Sequence, residues 1–184
     1  MARADLSDAE LKNIDYRNAD FKGADLTGAE LRNVDLRGAD LSDTNWVDAL
    51  VRESLLGGAS MRDADIRTSH FWRVDLRDAD LRNLNAAPGN IDGVLYGTTL
   101  TDSDMRGADL RGAKFDRALL WGTDFRGADL RGADFRGATT VDRRCIGYSR
   151  CPAAKWRGAV YDERTRFDPE FDPQEHGMIP MPMP

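Results

Sequence analysis

Two histidines, His70 and His176, and two cysteines, Cys145 and Cys151, are the groups in this 184-residue chain best suited to base, nucleophile or metal chemistry. A hydrolytic triad needs a nucleophile, a base and an orienting acid that converge. Here His70 falls on an outward position beside Phe71, and His176 lies in the tail. The cysteines and one histidine leave a structural zinc site short of its four ligands. The glycines of GADLRGADFRG recur every five residues and open no helix, unlike those of a phosphate-binding loop. Calcium-binding β-rolls are also Asp- and Gly-rich, but they use a nine-residue frame. In this chain the Asp of the repeat stands between two inward residues, which directs it to solvent beside Arg or Lys. The expectation is no catalytic residue, no cofactor, no metal and no enzyme.

The chain is 32% charged but carries a net charge of only −6. That sign excludes direct, phosphate-driven nucleic-acid binding. No stretch approaches about eighteen consecutive apolar residues, so no membrane span is expected. The start, MARADLSDAE, lacks the basic head and apolar run of a secretory signal. The expected location is the cytoplasm, and two cysteines do not make a disulfide framework.

The elements that position these residues follow from a period of five. Counting by fives from Leu6 through Leu26, Leu36, Trp46, Leu56 and Phe71 to Leu81 meets only apolar or aromatic residues. Two residues before each stands a mostly small one, such as Ala24, Ala39 or Ala64. Between the two lies usually Asp, and after the large residue usually Arg or Lys. Five residues turn about 500° on an α-helix, so the stripe would wind around it. On a flat strand an odd step flips each large residue to the opposite face. Within one repeat, small–Asp–large–Arg alternates in and out, and the fifth residue (Gly, Asn or Asp) turns a corner. The chain therefore coils as short extended edges joined by corners.

The tandem A-D/N-L/F-x-x pattern, best seen in FRGADLRGADFRGA at 125–138, resembles the pentapeptide repeat family over roughly residues 4–140. The resemblance implies an all-β fold: a right-handed, four-sided (quadrilateral) parallel β-helix with four repeats per coil. Leu26, Leu36, Phe71, Leu110, Phe125, Leu130 and Phe135 form its expected core ladder. Coils then stack about 4.8 Å apart.

After Leu81 the frame breaks at NLNAAPGNIDGVLYG. A second frame runs through Leu95, Leu100, Met105, Leu110, Phe115, Leu120, Phe125, Leu130 and Phe135. The slip lies near 84–94, where Pro88 and Gly89 supply the breakers. It reads as a bulge or short loop between two stacked segments, about 4–86 and 93–140, within a repeat domain of 1–140. Together they make about seven coils, on the order of 34 Å.

With the interior filled by its own side chains, function is expected on the outside. Residues 1–140 carry 25 acids and 19 bases, a net of −6, mostly alternating in sign. The family resemblance brings in quinolone-resistance and gyrase-inhibiting members, rods whose acidic surface imitates B-DNA and engages DNA gyrase, a type II topoisomerase. Such mimicry requires a face without arginines, which four-fold folding of this sequence does not clearly produce. The distinctive lapses are apolar: Val47, Leu50 and Leu55 stand where charge is the rule, Trp72 lies one coil from Leu50, and Leu119 and Trp121 repeat the anomaly. These six form the candidate protein interface, open to cover by the tail or the interruption. The reading is a protein-binding scaffold, with a DNA mimic and an inert rod as alternatives.

Residues 141–179 read as a C-terminal cap over the open end of the coil. The ending YDE-x-T-x-F…FDP…GM resembles the one closing many bacterial, particularly cyanobacterial, pentapeptide proteins. Cys145 and Cys151 are expected to be free thiols, and 180–184 to be disordered. Repeats begin at residue 4 without a cap, so end-to-end homodimerisation is a further expectation.

Overall fold

The computed structural model describes residues 3–91, 94–140 and 152–182, and in it the five-residue period becomes the four edges of a parallel β-solenoid. Backbone pairing repeats every 20 residues. On the first side Asp5, Asp25, Asn45, Asp65 and Asn85 pair in succession, and the column continues through Lys114, Asp134 and Arg166. The second side carries the longest strands: β1 (Glu10–Lys12), β2 (Glu30–Arg32), β3 (Leu50–Arg52) and β4 (His70–Trp72). Asp15, Asp35, Leu55, Asp75, Asp104, Asp124 and Lys155 mark the third side. The fourth side runs Asp20, Asp40, Ser60, Asp80, Asp109, Asp129 and Val160. Among the described residues there is no helix.

Corners form because the residue two past each large one adopts a left-handed backbone, as at Asn13 (φ 57°), Asn33 (φ 54°) and Asp43 (φ 59°). Asn, Asp and Gly reach that region most easily. At one corner Asp8 is followed a coil later by Gly28, and the Asp8 carboxylate occupies the space a Cβ at Gly28 would need. Only glycine fits above an Asp that leans this way.

The frame slip is resolved by pairing. Asp75 pairs with Asp104, a step of 29 where earlier steps are 20, so nine residues are inserted. Nine is one short of two repeats, which moves the apolar positions from numbers ending in 1 or 6 to those ending in 0 or 5. The insertion is not the expected bulge or short loop. It is an antiparallel hairpin, β5 (Gly89–Ile91) with β6 (Val94–Tyr96), standing at the corner between the first and second sides. Leu95 therefore belongs to β6, and the coil resumes at β7 (Thr99–Thr101), which pairs with β4.

A second insertion, of eleven residues, follows from Asp124 pairing with Lys155. Cys145 and Cys151 fall within 141–151, outside the described residues. Beyond them the repeat resumes rather than giving way wholly to a cap. Ala154, Trp156 and Ala159 are buried, and Gly158 turns the corner at φ 76°. Trp156 stacks on Phe125 at 4.6 Å and Phe167 on Phe135 at 5.5 Å, extending the core upward. The first-side column thus has eight levels, one more than the sequence suggested. Finally β8 (Val160–Tyr161) pairs with β9 (Ile179–Pro180). The end expected to be disordered is therefore held in register at Pro180, and Met181 N–H donates to Tyr161 O.

The interior is filled. Leu26, Leu36, Phe71, Leu110, Phe125, Leu130 and Phe135 are all buried. The space between Leu6, Tyr16, Phe21 and their coil neighbours is about 10 Å³, no more than one water needs.

Candidate interaction surface

The outward Asp does more than carry charge. Its carboxylate accepts the backbone N–H two residues on, closing the corner: Arg17 N donates to Asp15 at 3.0 Å and Thr27 N to Asp25 at 3.0 Å. Asn45 does the same for Val47 N at 3.2 Å. This Asx geometry is why Asp or Asn recurs there. Where Arg follows, its guanidinium adds a fork. Arg77 Nε and Nη2 reach the two oxygens of Asp75 at 2.8 and 2.6 Å. Arg111 with Asp109 and Arg131 with Asp129 repeat the geometry. Many guanidiniums also lean across to the next coil, as Arg82 does to Asp109 at 3.5 Å.

These contacts hold the carboxyls below their usual range. Hydrogen bonds from the Arg17 side chain bring Asp15 down to about 2. The Arg37, Arg77, Arg82 and Arg136 guanidiniums lower Asp35, Asp75, Asp80 and Asp134. Burial pushes Asp109 and Asp124 up, but Arg111 and Arg126 outweigh it and leave both lowered. The third and fourth sides are thus largely neutralised, pair by pair. Among the described residues, no group of three or more histidines, cysteines or carboxylates is placed to hold a metal.

The apolar lapses sort by side and by coil. Leu50 is half-buried in β3, in register with Glu30 below and His70 above. Trp72 lies in β4 between Arg52 and Thr101, with the Arg73 guanidinium 4.2 Å over its ring. Leu119 pairs with Thr99 and Thr139, and Trp121 O accepts from Asp102 N. These four share the second side. Leu55 is on the third side, 37% exposed between Asp35 and Asp75. Val47 is half-buried near the corner that precedes β3.

Val47, Leu50 and Leu55 all belong to the third coil. Its four outward centres are Asn45, Leu50, Leu55 and Ser60, so the acid usual at the centre of each side is missing from all four at once. Above that girdle the two outward columns of the second side hold no Asp, Glu, Lys or Arg among the described residues. One outward column reads Leu50, His70, Thr99, Leu119 and Thr139, and the other reads Trp72, Thr101 and Trp121 above Arg52. Thr99 and Thr101 escaped the sequence reading, because their place above His70 and Trp72 appears only once the 29-residue step is known. The hairpin flanks this side, and Gly89 packs directly against the Thr68 side chain, which is buried.

A four-sided parallel β-solenoid of five-residue repeats, closed inside and patterned outside, defines a class of repeat protein. The chain belongs to the family described as pentapeptide repeats, whose model matches 4–43, 47–83 and 103–139, eight copies over more than half the sequence. Among solved structures it is similar to full-length QnrB1, described as a plasmid-mediated fluoroquinolone resistance protein. That match is 18% identical, covers 94% of this chain and 84% of that one, and has a TM-score of 0.47. It is also similar to Rfr23 from the cyanobacterium Cyanothece 51142, at 20% identity, 90% and 88% coverage and a TM-score of 0.30. A third is HetL from Nostoc sp. strain PCC 7120, described as involved in heterocyst differentiation regulation, at 22% identity, 89% and 85% coverage and a TM-score of 0.19. No curated protein matches the chain in sequence.

Proposed function

We propose that the protein is a non-enzymatic interaction module that offers the second side of its coil to a protein partner. The observation behind this reading is that the outward columns of that side hold no Asp, Glu, Lys or Arg above Arg52, and that Leu50, Trp72, Leu119 and Trp121 stand in them where the other sides carry acid–base pairs. Two tryptophans two coils apart, about 9.6 Å at strand spacing, are rigid anchors of the kind that dominate interfaces. Leu55 and Val47 wrap the third coil at either edge of this face.

The second reading is a DNA mimic bound by a type II topoisomerase. It draws on the acidic first two coils, since residues 3–43 hold ten acids against six bases, a net of −4. Against it stand the forked arginines that neutralise the third and fourth sides.

Capture from lysate by the wild-type chain and by the Leu50→Asp, Trp72→Asp double variant tests the first reading. The captured protein should be lost with the double variant and retained with Lys22→Gln on the fourth side, and capture unchanged by the double variant refutes the second side as the interface. Gyrase supercoiling, with and without a quinolone, addresses the other. We expect no effect at micromolar protein, and inhibition would replace the platform with the mimic.

A further inference from the structure

The corner between the fourth and first sides holds a groove of about 1070 Å³, lined by Arg62, Arg131, Lys114, Arg164 and Arg166 over the bare backbone of Gly112 and Gly132. The two glycines leave the corner concave. The turn before Arg166 overhangs the groove at the top, where Gly132 N–H donates to Asp162 at 2.9 Å.

Cations in this groove differ in what already holds them. Arg131 is forked onto Asp129 at 2.6 and 2.9 Å. Arg62 lacks a carboxylate of its own coil, because Ser60 stands where Asp is usual, and it reaches only Asp80 at 3.9 Å. Lys114, Arg164 and Arg166 are exposed and make no ion pair among the described residues. Lys114 and Arg166 both occupy the repeat's Asp position, in the column Lys114–Asp134–Arg166. The Asp134 between them is already taken by Arg136 at 2.6 Å. A protein of net charge −6 therefore gathers three cations that make no ion pair among the described residues, Lys114, Arg164 and Arg166, in one concave place beside Asp116, Asp134, Asp162 and Glu163.

We propose that this groove binds an extended acidic peptide segment, with its carboxylates on Lys114 and Arg166 and Arg164 and Arg62 flanking them. Lys114 and Arg166 are two coils apart, about 9.6 Å. A polyproline-II chain rises about 3.1 Å per residue with three residues per turn, which puts every third side chain on one face about 9.3 Å apart. Acids at i and i+3 of such a chain meet both cations. Asp116, Asp134, Asp162 and Glu163 interleave with the basic groups, so the groove suits acids spaced about 9 Å apart better than a nucleic-acid backbone, whose charges come at every phosphate. The site lies away from the second side, so it stands or falls independently of that interface and gives the rod a separate attachment point.

The probe is a labelled synthetic peptide, (Glu-Pro-Pro)3, titrated by fluorescence anisotropy at low salt against the whole chain. The wild type should bind it. A Lys114→Asp, Arg166→Asp variant should bind about tenfold more weakly, because two attractions become repulsions. Asp is native to that position of the repeat, so the variant is compatible with the coil, and Lys114→Gln with Arg166→Gln gives a second, milder loss. Trp72→Asp should leave binding unchanged. No binding by the wild type, or binding that survives both pairs of substitutions, overturns the proposal. A single-stranded DNA oligonucleotide bound as tightly and lost in the same variants overturns the peptide assignment.

Discussion

Thr44 and Ser103 occupy the same small inward position of the repeat, and each is only 1% exposed, yet their hydroxyls have opposite consequences. Thr44 Oγ1 donates to Leu41 O at 2.5 Å and accepts from the buried Trp46 Nε1 at 2.7 Å. Ser103 Oγ is buried with no hydrogen-bond partner. Thr44→Ala should therefore cost about 1–3 kcal/mol by orphaning the indole N–H. Ser103→Ala should gain about 1 kcal/mol, since it removes a hydroxyl desolvated for nothing. Urea midpoints that move in opposite directions at constant slope would establish both; a shift of Ser103→Ala toward lower urea would contradict the reading. The inward placement of both residues is legible in the five-residue period. Which hydroxyl finds a partner is not, because that depends on a neighbouring Trp in one coil and its absence in another.

At the level of the coil, the end of the chain shows how an open edge is closed. In each coil the N–H of the large residue and of the residue two further on point to the next coil, as when Leu81 donates to Asp109 O and Asn83 to Arg111 O. In the last coil the register places Pro180 and Pro182 at those two positions, while Ile179 and Met181 donate back to Ala159 and Tyr161. Proline has no N–H to give, so the edge offers an added strand no donor at either place. A Pro180→Ala, Pro182→Ala variant should associate end to end at high concentration, helped by the exposed Ile179 and Met181. Size exclusion with light scattering reads this out, and a strict monomer would show that the prolines are not the barrier. Sequence reading found the first interruption through the phase of its apolar residues but missed its form. The Asp-Gly at 92–93 between apolar residues is a hairpin signal in the sequence. In the resumed repeat A-K-W-R-G-A-V-Y at 154–161 a cation stands at the Asp position, which masks the period in the sequence.

For the molecule as a whole, stability should depend on pH through the outward carboxylates acting together. Each coil contacts only its neighbours, so the same corner closure recurs up the rod, and its small contributions add along the stack. Asp35, Asp75, Asp80, Asp109, Asp124 and Asp134 are all held below the ordinary 3.8, and Asp15 at about 2. A carboxyl lowered in this way binds its proton more weakly folded than unfolded. Its contribution is therefore complete above 3.8 and disappears as pH falls through the folded value. The thermal midpoint should stay level from neutral down to about pH 5 and fall steeply between about pH 4 and pH 2. The arginines stay charged throughout, so they alter the curve only through their partners. Arg77→Gln removes the guanidinium that holds Asp75, and it should lower the midpoint at neutral pH while flattening part of the acid loss. A midpoint that already declines between pH 7 and pH 5 would place the sensitive groups elsewhere, since no lowered carboxylate titrates in that range.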